Sequence, residues 1–214
     1  MEKSYRYLPY FLLLFIPLTL TAFYKTYFNQ FPHFSENNNL LIHIHATIAV
    51  VWLTMLTAQP FLISNNQYAL HRKIGKWSYI VFPLFILSFI PQIVRVLLHG
   101  DPKTIFFPVA DCVIMTSFYV LAMINKKDRG KHMRYMIVVA MCFLFPTMNR
   151  IGIILLGWPE AVAENVIYGS VYFILIALIW HDRRNHRIFQ PYLLAFPFFM
   201  LHQVAFHLMF VFGS

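Results

Sequence analysis

The chain has 214 residues, of which 59% are hydrophobic and only 12% charged, with a formal net charge of +9. A soluble domain carries about 25% charged residues and leaves much of its surface in water, so this composition excludes an ordinary soluble fold and makes lipid the solvent. The positive balance belongs to loops beside anionic lipid and not to nucleic acid, because no basic patch interleaved with aromatics and no nucleic-acid motif is present.

Seven apolar runs, each close to the ~20 residues that cross a bilayer, follow one another at 8–28, 40–63, 77–98, 105–124, 135–156, 162–180 and 190–212. They are continuously apolar and do not alternate, which excludes the strands of a membrane barrel. Pro17, Pro60, Pro83, Pro91, Pro146 and Pro197 fall inside them, and membrane helices tolerate such prolines where neighbours satisfy the freed carbonyls. The run 8–28 is too long for a signal-peptide core and lacks a small-residue cleavage site, so it reads as an anchor. The whole chain, 1–214, therefore reads as one all-α transmembrane domain, a bundle of seven helices.

Charge placement orients the bundle. Lys3 and Arg6 precede the first run, and Arg72, Lys73 and Lys76 lie between the second and third. Lys126, Lys127, Arg129, Lys131 and Arg134 separate the fourth and fifth, and Arg183, Arg184 and Arg187 the sixth and seventh. If the runs alternate in direction, these thirteen of the 17 Lys and Arg residues share one side, leaving Lys25, Arg95, Lys103 and Arg150 on the other. Basic loops stay in the cytoplasm. The expectation is a multi-pass protein of the cytoplasmic (inner) membrane, N-terminus in and Ser214 out.

No Walker, Rossmann or CxxCH motif is present, which excludes the usual nucleotide sites and covalent haem. Cys112 and Cys142 stand singly in apolar runs and read as small buried hydrophobes. The last run has no Lys for a retinal Schiff base.

Ionisable residues inside a bilayer are costly and mark function. His45, Asp111, Arg150 and His207 each fall about five or six residues from the outer end of their runs, and Arg95 about three. This is one thin outer layer at 1.5 Å per residue. His202 lies a turn and a half deeper. His45, Trp52 and Gln59 repeat at seven residues and share a face, with His43 pointing nearly opposite. His132 and Arg150 are 18 residues apart, five full helical turns, and so share a face with Met136, Phe143 and Pro146. At the cytoplasmic edge, His71 and His132 open the third and fifth runs at matched depth. His181 and His186 read as solvated loop charge.

The pattern His45…Gln59…Leu70-His71-Arg72…Gly75, followed by Gly130…His132…Arg134…Met136…Arg150, resembles the domain of unknown function 2306 family of bacterial membrane proteins over about residues 40–155. This chain reads Lys131-His132-Met133-Arg134-Tyr135-Met136 where that family has HRRWM. The resemblance implies no activity. A more distant likeness, in architecture alone, is to dihaem membrane cytochromes b.

Three functions fit these residues. In the first, imidazoles on facing helices hold haem b, with arginines for its propionates: His45 with His207 or His202 near Arg95 and Arg150 outside, and His71 with His132 inside. A quinone or another membrane redox protein is the partner that such chemistry implies. In the second, His45, Asp111 and His207 hold zinc or iron as two histidines and a carboxylate, activating water or oxidising lipid. Seven-span zinc hydrolases use HxxxH in the last span, whereas His202 and His207 are five apart. In the third, the chain is a transporter, an assembly factor or an accessory subunit, and its polar residues pair between helices.

Overall fold

The computed structural model describes residues 2–34 and 39–212. Ser214, expected on the outer side, lies outside the described residues. Those residues form helices and turns with no strand among them, in two compact units, Met1–Gly100 and Asp101–Ser214.

The first unit contains α1 (Leu8–Leu13), α2 (Phe15–Phe23), α3 (Leu40–Ser64), α4 (Tyr68–Leu87) and α5 (Ile90–His99). Asn39 starts α3 by accepting from the backbone N–H of Leu41 and Ile42 at 3.1 and 3.2 Å, which satisfies two of the donors a helix start leaves open. The short turn to α4 places Asn66 at φ 59°, a left-handed conformation that asparagine tolerates. The resulting α3–α4 hairpin buries Trp52 against Phe82, their ring centres 5.0 Å apart, beside Leu53, Leu56 and Phe85. Tyr10 of α1 meets Phe61 of α3 edge to face at 5.7 Å.

Proline explains each break in the helices. The ring removes one N–H and crowds the carbonyl four residues earlier. The interruptions fall at Leu14 before Pro17, at Ser88 and Phe89 before Pro91, and at Cys142 and Phe143 before Pro146. Near two of them a hydroxyl occupies a neighbouring carbonyl: Ser88 Oγ donates to Phe85 O at 2.5 Å and Thr147 Oγ1 to Phe143 O at 2.6 Å.

The second unit contains α6 (Phe106–Ile124), α7 (Arg129–Met141), α8 (Leu144–Arg150), a π-helical turn at Ile151–Leu155, α9 (Glu160–Arg184), α10 (Gln190–Phe206) and a second π turn at His207–Val211. Asp128 starts α7 by accepting from the N–H of Lys131 at 3.1 Å. α7 packs on α6 and α10, α8 on α9, and α9 on α10. Phe118, Val138, Val139, Ile167, Tyr168, Val171, Leu175, Phe199 and Phe206 are wholly buried at their centre. Gly152 lets the first π turn approach α9: a Cβ there would lie 3.0 Å from Ala163 Cβ and 3.2 Å from the Trp158 ring.

Six helical segments are long and apolar enough to cross a membrane: Leu40–Ser64, Tyr68–His99, Pro102–Ile124, Arg129–Leu155, Glu160–Arg184 and Gln190–Val211. The run at 8–28 is shorter as a helix than the span expected there. Its apolar helical segment is Leu8–Phe23, which at 1.5 Å per residue reaches about 24 Å of the ~30 Å hydrocarbon core. The third and fifth spans also begin earlier than their apolar runs, at Tyr68 and Arg129. The charges of Arg72, Lys73, Lys76, Arg129 and Lys131 therefore sit on helical turns, where long side chains carry them out to water.

Candidate functional site

The expected polar residues of the first unit each have a defined setting. His45 Nδ1 and Ser88 Oγ lie 2.8 Å apart. The Ser88 hydroxyl donates to a carbonyl, so it accepts from the imidazole N–H. Phe85 stacks on the His45 ring at 5.8 Å and Phe89 meets it edge to face at 4.6 Å. His43 turns to a different segment, 2.7 Å from the Tyr27 hydroxyl and 4.6 Å from the Phe34 ring. His71 is half-buried in the first turn of α4, and Arg95 is exposed on α5. The Gln59 amide, near the C-terminal end of α3, is shielded and makes no hydrogen bond among the described residues.

In the second unit, His132 Nδ1–H donates to Ala122 O at 2.9 Å and ties the start of α7 to the end of α6. The helical segment that carries both His132 and Arg150 is interrupted at Cys142 and Phe143, ahead of Pro146. Arg150 is half-buried, with Nη1 donating to Pro146 O at 3.3 Å.

The polar residues that come together do so around His202. This imidazole is 4% exposed. Its Nδ1 lies 2.8 Å from the Tyr168 hydroxyl. Its Nε2 faces Asp111 Oδ1 at 3.5 Å, with the Asp111 side chain 16% exposed. That separation lacks hydrogen-bond alignment, so Nε2 and Oδ1 are both buried polar atoms without a hydrogen bond. Phe106, Phe145 and Tyr168 surround the His202 ring at 4.8, 4.9 and 5.7 Å between centres. Aromatic walls lower the local polarity and strengthen whatever electrostatic contact forms inside them.

A second polar pair adjoins this centre. Glu164, 1% exposed, lies one helical turn before Tyr168 on α9. Its Oε1 accepts from Asn149 Nδ2 at 2.6 Å, while Oε2 is buried without a hydrogen bond. Each π turn directly follows a helix that carries part of the centre, the first after Asn149 and Arg150, the second after His202 and Phe206. Single π turns of this kind recur at functional sites, because they shift the carbonyl ladder locally.

Asp111 thus meets His202, the histidine expected deeper than the outer layer. His207 sits elsewhere: its Nδ1–H donates to Gln203 O at 2.9 Å, and it lines a shallow groove of about 220 Å³ with Gln203, Val204, Leu208 and Phe212. Among the described residues, no three His, Cys, Asp or Glu side chains group as a metal ion requires. The sequence reading missed Tyr168, Asn149 and Glu164. The available signal was Glu164 itself, a carboxylate well inside an apolar run.

It also misread the basic edge of this unit. Arg134 was counted as loop charge, yet it is wholly buried and joins Asp182. Its Nη1 also donates to Gly130 O at 3.0 Å.

These features define the class: a helical, multi-pass membrane protein with a buried carboxylate–imidazole–phenol centre in its second unit. No family model, curated protein or solved structure matches the chain.

Proposed function

We propose that this chain is a membrane transport protein that moves protons through an Asp111–His202–Tyr168 relay in its second unit. The observation that carries the proposal is His202. One imidazole touches a phenol through Nδ1 and faces a carboxylate through Nε2, inside an aromatic enclosure. Histidine alone among side chains changes charge near neutral pH without perturbation. Chains of Asp, Glu and His within spanning helices are the usual proton path of pumps and transporters.

The same surroundings favour proton sharing over axial ligation of haem b, zinc or iron. A ligating imidazole presents one nitrogen to an open side, whereas both nitrogens of His202 face protein groups and its ring is walled by aromatics. The resemblance to the domain of unknown function 2306 family adds no activity to this reading. The topology that accompanies it is seven spans with the N-terminus in the cytoplasm, supported by the basic loops.

The test is reconstitution into vesicles holding a pH-sensitive dye, with a potassium diffusion potential set by valinomycin. The expected result is proton uptake faster than in protein-free vesicles, falling to the protein-free rate in Asp111→Asn and His202→Gln. Uptake by the wild type no faster than in empty vesicles, or unchanged in both variants, overturns the proposal.

A further inference from the structure

We infer that Glu164, held by Asn149, is a second proton-holding site that feeds this centre. The inference rests on the relay reading for its destination, but on separate geometry for the site itself. Glu164 is buried to 1% exposure and its two oxygens are unequal: Oε1 accepts the short bond from Asn149, and Oε2 has no partner. Among the described residues no ion pair engages it. An ionised carboxylate in that position would carry an uncompensated charge in a low-polarity interior, at a cost far above that of a neutral acid. Asparagine suits a neutral acid well, since its amide N–H donates to the carbonyl-like oxygen and leaves the other oxygen to carry hydrogen.

The step balances. The proton on Glu164 Oε2, which has no hydrogen-bond partner among the described residues, passes through an intervening water to the Tyr168 oxygen, one helical turn along the same face. The Tyr168 proton passes to His202 Nδ1, and the proton on His202 Nε2 passes to Asp111 Oδ1. Glu164 ends as carboxylate and Asp111 as acid. Tyr168 is restored, and His202 remains neutral with its proton on the other nitrogen. Reset requires that Glu164 regains a proton and that Asp111 releases one to water.

Infrared difference spectroscopy of the reconstituted protein, in H2O and D2O, reads the site directly. The expected signal is a protonated-carboxyl stretch that shifts in D2O, is lost in Glu164→Gln, and moves to higher frequency in Asn149→Ala, where the acid remains but its hydrogen bond is gone. Circular dichroism and size exclusion confirm that each variant is folded, and Asn149→Ala provides the reading if Glu164→Gln does not fold. A carboxyl band insensitive to both substitutions overturns the inference. The vesicle assay separates the two ideas. A Glu164 band in a protein without proton flux removes the relay and keeps the site, whereas flux abolished by Asp111→Asn with no Glu164 band keeps the relay and removes the site.

Discussion

Arg134 and Asp182 lie 48 residues apart in sequence and meet in a bidentate pair, Nε to Oδ2 and Nη2 to Oδ1, each at 2.7 Å with both side chains fully buried. The pair clamps the start of α7 to the end of α9. Removing one partner of a buried pair strands the other charge, a loss of about 3–5 kcal/mol. Arg134→Met and Asp182→Leu are each expected to lower the thermal unfolding temperature in detergent sharply. The double variant, which leaves no stranded charge, is expected to recover most of the loss. Equal damage in the double variant would show that the pair has no such role.

Tyr168→Phe deletes the hydroxyl at His202 Nδ1 and leaves a buried ring nitrogen unsatisfied. The expected cost is about 1–3 kcal/mol, read as a shift in unfolding midpoint. Nitrogen NMR of labelled histidine should show the change at His202 and leave His207, whose Nδ1–H is held by Gln203 O, unaltered.

Two glycines should respond in opposite directions. At Gly152 a new Cβ meets Ala163 Cβ at 3.0 Å and Trp158 at 3.2 Å, while at Gly169 nothing lies within 4 Å. Gly152→Ala is expected to destabilise by about 1–3 kcal/mol through overpacking. Gly169→Ala, within α9, should gain about 0.5–1 kcal/mol from reduced backbone freedom in the unfolded chain. Thermal melts of the two variants side by side check both signs.

Topology is open to cysteine labelling, with Cys112 and Cys142 first replaced. Single cysteines at Asn66, Lys127 and Asn185 should react only from the cytoplasmic side, and those at Lys103 and Gly157 only from the other. A tag at the N-terminus decides the role of Leu8–Phe23: cytoplasmic if that short segment crosses, external if it does not. Labelling of Lys127 from outside would invert the assignment.

The candidate site was legible only in part. Asp111 and His202 were visible as polar residues in apolar runs, and depth could be counted from the run ends. Depth does not say which histidine faces inward: His202 and His207 sit on one helix, and packing against Tyr168 and Phe145 selects the first. Arg134 was hidden because it follows a run of lysines and arginines, and Asp182 because it stands among His181, Arg183 and Arg184. Only the fold, which brings these two side chains together and buries them, separates them from their neighbours in sequence.

Composition and charge alone determined the solvent, the helical class and most of the span positions, because about 20 consecutive apolar residues have few alternatives to crossing a bilayer. Proline positions did not by themselves locate the breaks: Pro17, Pro91 and Pro146 each follow one, whereas Pro60, Pro83 and Pro197 sit inside continuous helices. The facing of each helix was decided by tertiary structure. In a soluble protein, polar and apolar faces differ and the sequence sorts them. Here the faces toward lipid and toward neighbouring helices are both apolar, so helix packing by shape and scattered polar contacts makes the choice. The centre at His202 exists only because α6, α9 and α10 bring Asp111, Tyr168 and His202 to one place.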